Sequence, residues 1–289
     1  MRIRTMSEVL RTATEHLNGR EIETPRLNAE LLLAHVMNCS RIQLYMDFEK
    51  PLAKEELQSF EELLTRRANR EPLQYILGEA EFMGLKFFID RRALIPRPET
   101  ERLVEEAVSI LGKLPGNNAP KILDIGTGSG NIAISIAKFV EVSFLVAIDA
   151  STDALDVARM NAKRHGVESR ITVLHHDVFS ELGNEVGSAF AMIVSNPPYI
   201  SPKEFAEVMP EIRDHEPTIA TLAGDDGLRF YRRICEIAPS LLSDGGTLLL
   251  ETGYEQGEAV ASLVSEADFR NVTLIQDYSG INRVVKGIR

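Results

Sequence analysis

The chain has 289 residues, 44% hydrophobic and 26% charged, the make-up of an ordinary soluble globule with room for one large domain and a small one. Its net charge of −11 is uneven: residues 1–95 carry 14 basic against 15 acidic side chains, while the remaining 194 carry 18 against 28. The acidic second part lacks the basic footprint that duplex DNA demands, and no apolar run of about 18 residues is present to span a membrane.

The amino terminus lacks the apolar core of a signal peptide. Cys39 and Cys235 stand apart without C-x-x-C spacing, which fits a reducing cytoplasm. The six histidines form no ligand pattern, so no metal site is expected.

The first 75 residues read as a bundle of four or five helices. Thr5-x-x-Glu8 is a capping box ahead of Met6, Val9, Leu10, Ala13 and Leu17, which share one helical face. Thr24-Pro25 has the N-cap and first-turn pattern of a second helix through Leu27, Leu31 and Ala34. Leu57, Phe60 and Leu64 mark a further helix with a charged outer face. Over residues 76–95 the period shortens to that of strands: Glu81 to Leu85 and Lys86 to Asp90 predict a β-hairpin joining two domains. Ile95-Pro96-Arg97-Pro98 then leads into a helix through Leu103, Val104 and Ala107, and Pro115 to Asn118 reads as a loop. Arg97 and Glu99 fit either a domain-linking salt bridge or a part in closing a site.

Residues 96–289 are expected to form the larger domain. Lys121 to Ile125 is a short buried strand, followed at once by Gly126-Thr127-Gly128-Ser129-Gly130 and an apolar helix from Ile132. A strand, a glycine turn and a helix start let backbone approach a ligand and offer N–H groups to it. The dinucleotide fingerprint G-x-G-x-x-G fails from Gly126, because position 131 is Asn131. From Gly128 it reaches Ala133, which that pattern tolerates, so spacing leaves a nicotinamide cofactor open.

A second strand, Phe144 to Ile148, ends in Asp149, whose carboxylate can accept both ribose hydroxyls of an adenosine. A third, Ile171 to Leu174, leads through His175-His176 to Asp177, which can accept from an adenine amino group. A fourth, Ala191 to Val194, runs into Ser195-Asn196-Pro197-Pro198-Tyr199-Ile200. Two prolines stop the strand and hold a rigid extended turn. Asn196 presents a side-chain carbonyl, neighbouring main-chain carbonyls lack a local partner, and Tyr199 offers a flat wall. Such an acceptor-rich clamp suits an NH2 group on a planar amide or amine. Ligands of open α/β sheets bind outside the carboxyl ends of the strands, and four successive strands place polar groups there.

Ser201 to Gly224 is irregular, with Pro202, Pro210 and Pro217, and is long enough for a binding loop. Asp226-Gly227 is placed to cap the next helix. Gly246 to Glu251 is a fifth strand, and Val272 to Ile275 with Ile281 to Val285 make a terminal antiparallel pair. Glu251 reads as a brace at a strand end. The fold class is therefore α/β: a doubly wound seven-stranded sheet behind a helical bundle.

These motifs resemble the class I S-adenosylmethionine-dependent methyltransferases. More narrowly, the chain is similar to the family that N5-methylates glutamine in bacterial peptide chain release factors. The narrower likeness runs through Arg26 to Leu33, Glu71 to Gly78, Leu94 to Glu101, Asp124 to Gly130, Val194 to Ile200, Glu216-Pro217 and Leu249 to Glu251. Asn-Pro-Pro-Tyr is shared with adenine-N6 DNA methyltransferases, so it speaks for the reaction type. The segment from Ile95 to Glu101 with the helical front end discriminates better.

The resemblance implies that the last strand is antiparallel and that Gly126, Thr127, Gly128, Ser129 and Gly130 line the methionine part of S-adenosylmethionine. It places Asp149 on ribose, Asp177 and Val178 by adenine, and Asn196 against the cofactor as well as the substrate. Some relatives have an aromatic residue where Val178 stands, so stacking from that position is not implied. Asn196, Pro197, Pro198 and Tyr199 would hold the substrate amide beside the methyl group. The expected partner is a class 1 release factor, methylated in its Gly-Gly-Gln loop, with no stable nucleic acid and no membrane.

Three other readings compete. An adenine-N6 methyltransferase for DNA or RNA would need a basic, aromatic recognition region, yet the front domain is charge-balanced and has no tryptophan. A dehydrogenase on the Gly128-Gly130-Ala133 register would leave Asn-Pro-Pro-Tyr without a task. A non-enzymatic scaffold would not gather polar groups at one sheet edge.

Overall fold

The structure is a computed structural model, and it describes residues 4–114, 119–141, 143–181, 183 and 185–289. The loop expected at residues 115–118 lies outside the described residues. The chain divides into two compact units. One runs to Gly78 and takes in Met209–His215; the other comprises Glu79–Val208 and Glu216–Arg289.

The first unit is helical: α1 (Met6–Asn18), α2 (Pro25–Val36), α3 (Arg41–Met46), α4 (Lys54–Ala68) and α5 (Leu73–Leu77). The Thr5 capping box is present, with the Thr5 hydroxyl accepting from the Glu8 N–H and the Glu8 carboxylate accepting from the Thr5 N–H. Thr24 departs from expectation. It has left-handed backbone (φ 47°) and its side chain caps nothing; the Asn28 side-chain nitrogen instead donates to the carbonyls of Glu23 and Thr24. Met6, Leu10, Leu17, Leu32, Leu33, Leu44 and Phe60 fill the centre. Buried Glu30 ties α2 to α3 by accepting from Arg26, Arg41 and Tyr45.

The second unit begins with the hairpin β1 (Glu79–Phe82) and β2 (Leu85–Phe88). Its turn is Met83-Gly84, both at positive φ, so pairing starts at Phe82 with Leu85 and the chain reverses two residues earlier than the sequence suggested. Phe82 and Phe87 enter the core of this unit, and Phe88 exchanges hydrogen bonds through its N–H and carbonyl with the Asn161 amide.

A single 3₁₀ turn, Pro98–Thr100, then opens α6 (Glu101–Leu111). Next come β3 (Lys121–Ile125), α7 (Asn131–Phe139), β4 (Phe144–Asp149), α8 (Thr152–Arg164), β5 (Ile171–His175) and β6 (Phe190–Ser195). After α9 (Pro202–Phe205) and α10 (Pro210–His215) follow α11 (Arg229–Leu241), β7 (Leu242–Glu251), α12 (Gly257–Glu266), β8 (Arg270–Gln276) and β9 (Asn282–Ile288).

The sheet order is β5-β4-β3-β6-β7-β9-β8, parallel throughout except β9, which runs antiparallel between β7 and β8. Ile122, Leu145, Met192 and Leu249 face one apolar cluster with α6 and α7, and alternate residues Leu123, Val146, Ile193 and Leu248 face another with α11 and α12. Burial on both faces explains why these strands read as continuous apolar runs. The order reverses at β3, so its carboxyl end and that of β6 flank a crevice. Asp226 accepts from the Leu228 N–H and pairs with Arg232, so it holds the turn two residues before the position that caps α11.

Candidate active site

The crevice contains a cavity of about 250 Å³. Its walls come from the loops after β3, β4, β5 and β6, with Arg92 to Leu94, Pro217, Ile219, Ala220, Arg229 and Phe230. Of the residues singled out in the sequence, Gly126, Gly128, Asp149, Asp177, Val178, Asn196, Pro197 and Pro198 are brought together there. Thr127, Ser129, Gly130 and Tyr199 are not among its lining residues.

The glycine loop works differently from the sequence expectation. The N–H groups of Gly126 and Thr127 both donate to the Ile148 carbonyl, that of Gly128 to Asp149, and that of Gly130 to the Thr127 carbonyl. These groups are already committed, so the loop's service to a ligand is closeness rather than free donors. Gly126 (φ 74°) and Gly128 (φ 56°) have nothing within 4 Å of a built Cβ, so side chains there would fill open volume. Gly130 (φ 81°) faces the protein: a Cβ would lie 2.8 Å from Ile134 Cδ1 and 3.2 Å from Ala158 Cβ. It permits α7 to pack on α8. Thr127 is buried and donates its hydroxyl to Asp124 Oδ2 at 2.7 Å. Ser129 is buried, its carbonyl held by the Asn161 amide at 2.9 Å.

Asp149 braces the site as well as lining it. Its two oxygens accept from the Gly128 N–H (2.8 Å) and the Ser151 N–H (2.9 Å). Burial raises its carboxyl pKa against the pull of those backbone donors. Asp124, fully buried at the end of β3, is pushed up to about 7 by burial, with the Thr127 hydroxyl opposing. Asp177 is exposed and accepts from the Phe179 N–H.

The aromatic wall missing at Val178 is supplied beside it. Phe179 meets Phe230 edge-on (5.0 Å between centroids, 67°), and the Arg229 guanidinium lies 4.2 Å from the Phe179 ring centre. Sequence reasoning missed this group. Phe179 directly follows Val178, but Phe230 and Arg229 sit on a distant helix with no local pattern to mark them.

The Asn-Pro-Pro-Tyr turn continues β6. Asn196 donates its side-chain nitrogen to Thr100 Oγ1 at 3.1 Å, which leaves Oδ1 as the other branch of the amide. Tyr199 is not among the residues that line the cavity. Its ring packs against the apolar cluster on the α11 side, and its carbonyl accepts from Gln256 at 2.9 Å. Burial pushes its hydroxyl pKa up to about 12. Arg97 binds both oxygens of buried Glu216 at 2.7 and 2.8 Å, anchoring the segment that brings Pro217, Ile219 and Ala220 to the cavity, while Glu99 is exposed. Among the described residues no His/Cys/Asp/Glu cluster could hold a metal ion, and no helix is long and apolar enough to cross a membrane.

A reversed seven-stranded sheet, a glycine loop after its first parallel strand and an Asn-Pro-Pro-Tyr turn at the fourth define a class I methyltransferase fold. The comparisons agree. A PrmC N-terminal domain model matches residues 8–78, and a methyltransferase small domain model matches residues 104–214. The chain is 43% identical to the release factor glutamine methyltransferase of Chlorobaculum tepidum, over 96% of this chain and 94% of that protein. It is 42% identical to that of Geobacter sulfurreducens, over 98% and 96%. The crystal structure of a methyltransferase from Pyrococcus furiosus shares the fold (TM-score 0.51, 17% identity, 72% of this chain and 90% of that one). The chain belongs to the release factor glutamine methyltransferase family.

Proposed function

We propose that the chain transfers a methyl group from S-adenosylmethionine to the side-chain amide nitrogen of the glutamine in the Gly-Gly-Gln motif of class 1 peptide chain release factors. The observation that carries this reading is the position of Asn196-Pro197-Pro198 in the cavity wall, with the Asn196 nitrogen committed to Thr100 and its oxygen left over as an acceptor.

When bound, S-adenosylmethionine supplies a methyl group activated by a sulfonium centre. Gly126 and Gly128 would stand beside its methionine part, Asp149 would accept from its ribose hydroxyls, and Asp177, Val178 and Phe179 would flank its adenine. Of the residues first assigned to the cofactor, Thr127, Ser129 and Gly130 shape the loop from behind.

An amide nitrogen is a weak nucleophile because its lone pair is delocalised into the carbonyl. Asn196 Oδ1 and the Pro197 carbonyl each accept one of its hydrogens. That pairing turns the lone pair toward the methyl carbon and stabilises the positive charge that builds on nitrogen. The two prolines hold both acceptors in place, so little reorganisation is needed as charge develops. The methylated amide cation sheds its proton without a strong base.

The cytoplasm, where release factors act, is the compartment this reading requires, and free Cys39 and Cys235 are consistent with it. The test is incubation with labelled cofactor and purified release factor, followed by peptide mass mapping. Label on the Gly-Gly-Gln glutamine is the expected outcome. Label in DNA in its place would select an adenine-N6 methyltransferase.

A further inference from the structure

The carbonyls of the Asn-Pro-Pro-Tyr-Ile segment fall into two groups. Those of Tyr199 and Ile200 accept hydrogen bonds, from Gln256 Nε2 at 2.9 Å and from the Ala223 N–H at 2.9 Å. No hydrogen bond to the Pro197 or Pro198 carbonyl is present among the described residues. Pro197 and Pro198 line the cavity and Gln256 does not. All of these residues belong to the sheet unit.

The proline rings account for only part of how the free carbonyls are held. Each ring fixes φ at its own residue, and a following proline restricts ψ at Asn196 and at Pro197 to the extended range. The ψ of Pro198 and both dihedrals of Tyr199 have no such restraint. The first peptide unit past those joints joins Tyr199 to Ile200, and it is gripped on both edges. Its carbonyl accepts from Gln256, and its N–H donates to the Thr221 carbonyl at 3.0 Å. At the strand end, the Ser195 hydroxyl donates to the Ile125 carbonyl at 2.7 Å.

Gln256 reaches the Tyr199 carbonyl through a slot bounded by two glycines. A Cβ at Gly227 (φ 71°) would lie 2.5 Å from both Gln256 Nε2 and the Tyr199 oxygen. One at Gly253 would lie 2.9 Å from Gln256 Oε1 and 3.1 Å from Tyr199 Cδ2. Gln256 stands at the N-cap position of α12, yet its side chain caps nothing. Its Oε1 is buried without a hydrogen-bond partner among the described residues, a cost that an apolar side chain of equal length would not carry. Stability alone does not call for an amide here.

We propose that Gln256 is a positioning residue for the methyl acceptor. By fixing the peptide beyond the prolines, it holds the Pro197 carbonyl at the cavity wall, where that oxygen accepts a substrate N–H. The proposal rests on the reading of the Pro197 carbonyl as an acceptor for the glutamine amide.

Gln256→Met keeps the length of the side chain and removes the donor. With tyrosine carbonyl carbons and isoleucine amide nitrogens isotopically labelled, only Tyr75-Ile76 and Tyr199-Ile200 give a coupled signal, because the chain has no other Tyr-Ile pair. The Tyr199 signal is the one absent from Tyr199→Phe. In Gln256→Met its carbonyl carbon should move upfield through loss of the hydrogen bond, while the Tyr75 signal stays in place.

Turnover should fall roughly tenfold in Gln256→Met, with cofactor affinity within about twofold of the parent and the melting temperature little changed. Gly227→Ala breaks the same contact by another route, since its methyl group would come between donor and acceptor. It should show the same signal change and the same loss of turnover. A Tyr199 signal that stays put in both variants, or one that moves while turnover holds, would overturn the proposal. So would a fall in turnover that only follows a loss of cofactor affinity or of folded protein. Absence of glutamine methylation by the parent chain would instead sink the proposed function, while the carbonyl signal would still decide whether Gln256 anchors the turn.

Discussion

Asn196 has one amide branch spoken for, and the other is the atom on which the proposed chemistry depends. Asn196→Ala is expected to cut turnover by roughly 10²–10³, the scale of losing one preorganised polar partner, while calorimetric affinity for the cofactor stays near that of the parent. An unchanged turnover number would remove the acceptor clamp from consideration. The clamp was legible in the sequence because residue order alone carries it: an acceptor directly before two prolines at a strand end. The partners of Asn196 were not. Thr100 lies 96 residues away, and a hydrogen bond across that separation leaves no spacing to read. Tyr199, expected beside the substrate, instead packs against the apolar cluster and is not among the residues lining the cavity. A tyrosine after a turn can pack on a ligand or on the core, and residue order alone does not show that its ring meets the cluster to which α11 contributes.

At the scale of elements, the loop between β3 and α7 separates two kinds of glycine. Gly128 opens on the cavity and Gly130 is pressed against α8, although both have positive φ. Alanine at Gly130 should cost about 1–3 kcal/mol of stability, read as a lower urea midpoint, with cofactor affinity of the folded protein little changed. Alanine at Gly128 should add a loss of cofactor affinity, because its methyl group would occupy the open volume. Equal affinities in the two variants would contradict this division.

The strands themselves were legible because burial on both faces forces apolar runs, and each run ends where a polar residue meets the crevice: Asp149 after Ile148, Asn196 after Ser195. Details set by backbone conformation were harder to read. Thr24 has the right residue type for a cap but left-handed backbone, so its hydroxyl does not reach the helix N–H groups. The hairpin turn fell on Met83-Gly84, where glycine supplies the second positive φ and methionine gives no sign of the first.

For the molecule as a whole, buried carboxyls govern the response to pH. Asp124 and Glu251 are both raised to about 7 by burial, so the folded state holds protons that the unfolded chain releases above its ordinary carboxyl range. Their stabilising contribution is complete below about pH 4 and fades as pH rises through about 7, on the order of 3 kcal/mol for each. Glu30, Glu79 and Asp90 work in the opposite sense: against the cost of burial, Glu30 is lowered by the Tyr45 hydroxyl and by Arg26 and Arg41, Glu79 by Lys86 and Arg164, and Asp90 by Arg92, and each loses its contribution as pH falls below the ordinary carboxyl range.

The ligand-free protein should therefore melt at its highest temperature at mildly acidic pH, and Asp124→Asn should flatten the decline toward about pH 8. A melting temperature that rises steadily from pH 5 to about pH 8 would contradict this. Charge balance pointed away from nucleic acid at the sequence level, but the burial behind these shifts is a property of the assembled sheet and has no counterpart in composition.

One short helix bears on how this architecture can be taken apart. Glu211 of α10 accepts from buried Arg67 at 3.0 Å and from Arg70 at 3.4 Å, so a piece encoded after the Asn-Pro-Pro-Tyr turn completes the amino-terminal bundle. No single cut in the polypeptide releases either half whole. A truncated chain starting at Glu79 would strand a carboxylate without its guanidinium partners, and a bundle ending at Gly78 would leave Arg67 facing nothing of opposite sign at that position. Swapping front ends among relatives thus calls for two grafts made together, and a chimaera that exchanges only the leading segment inherits a mismatched clasp.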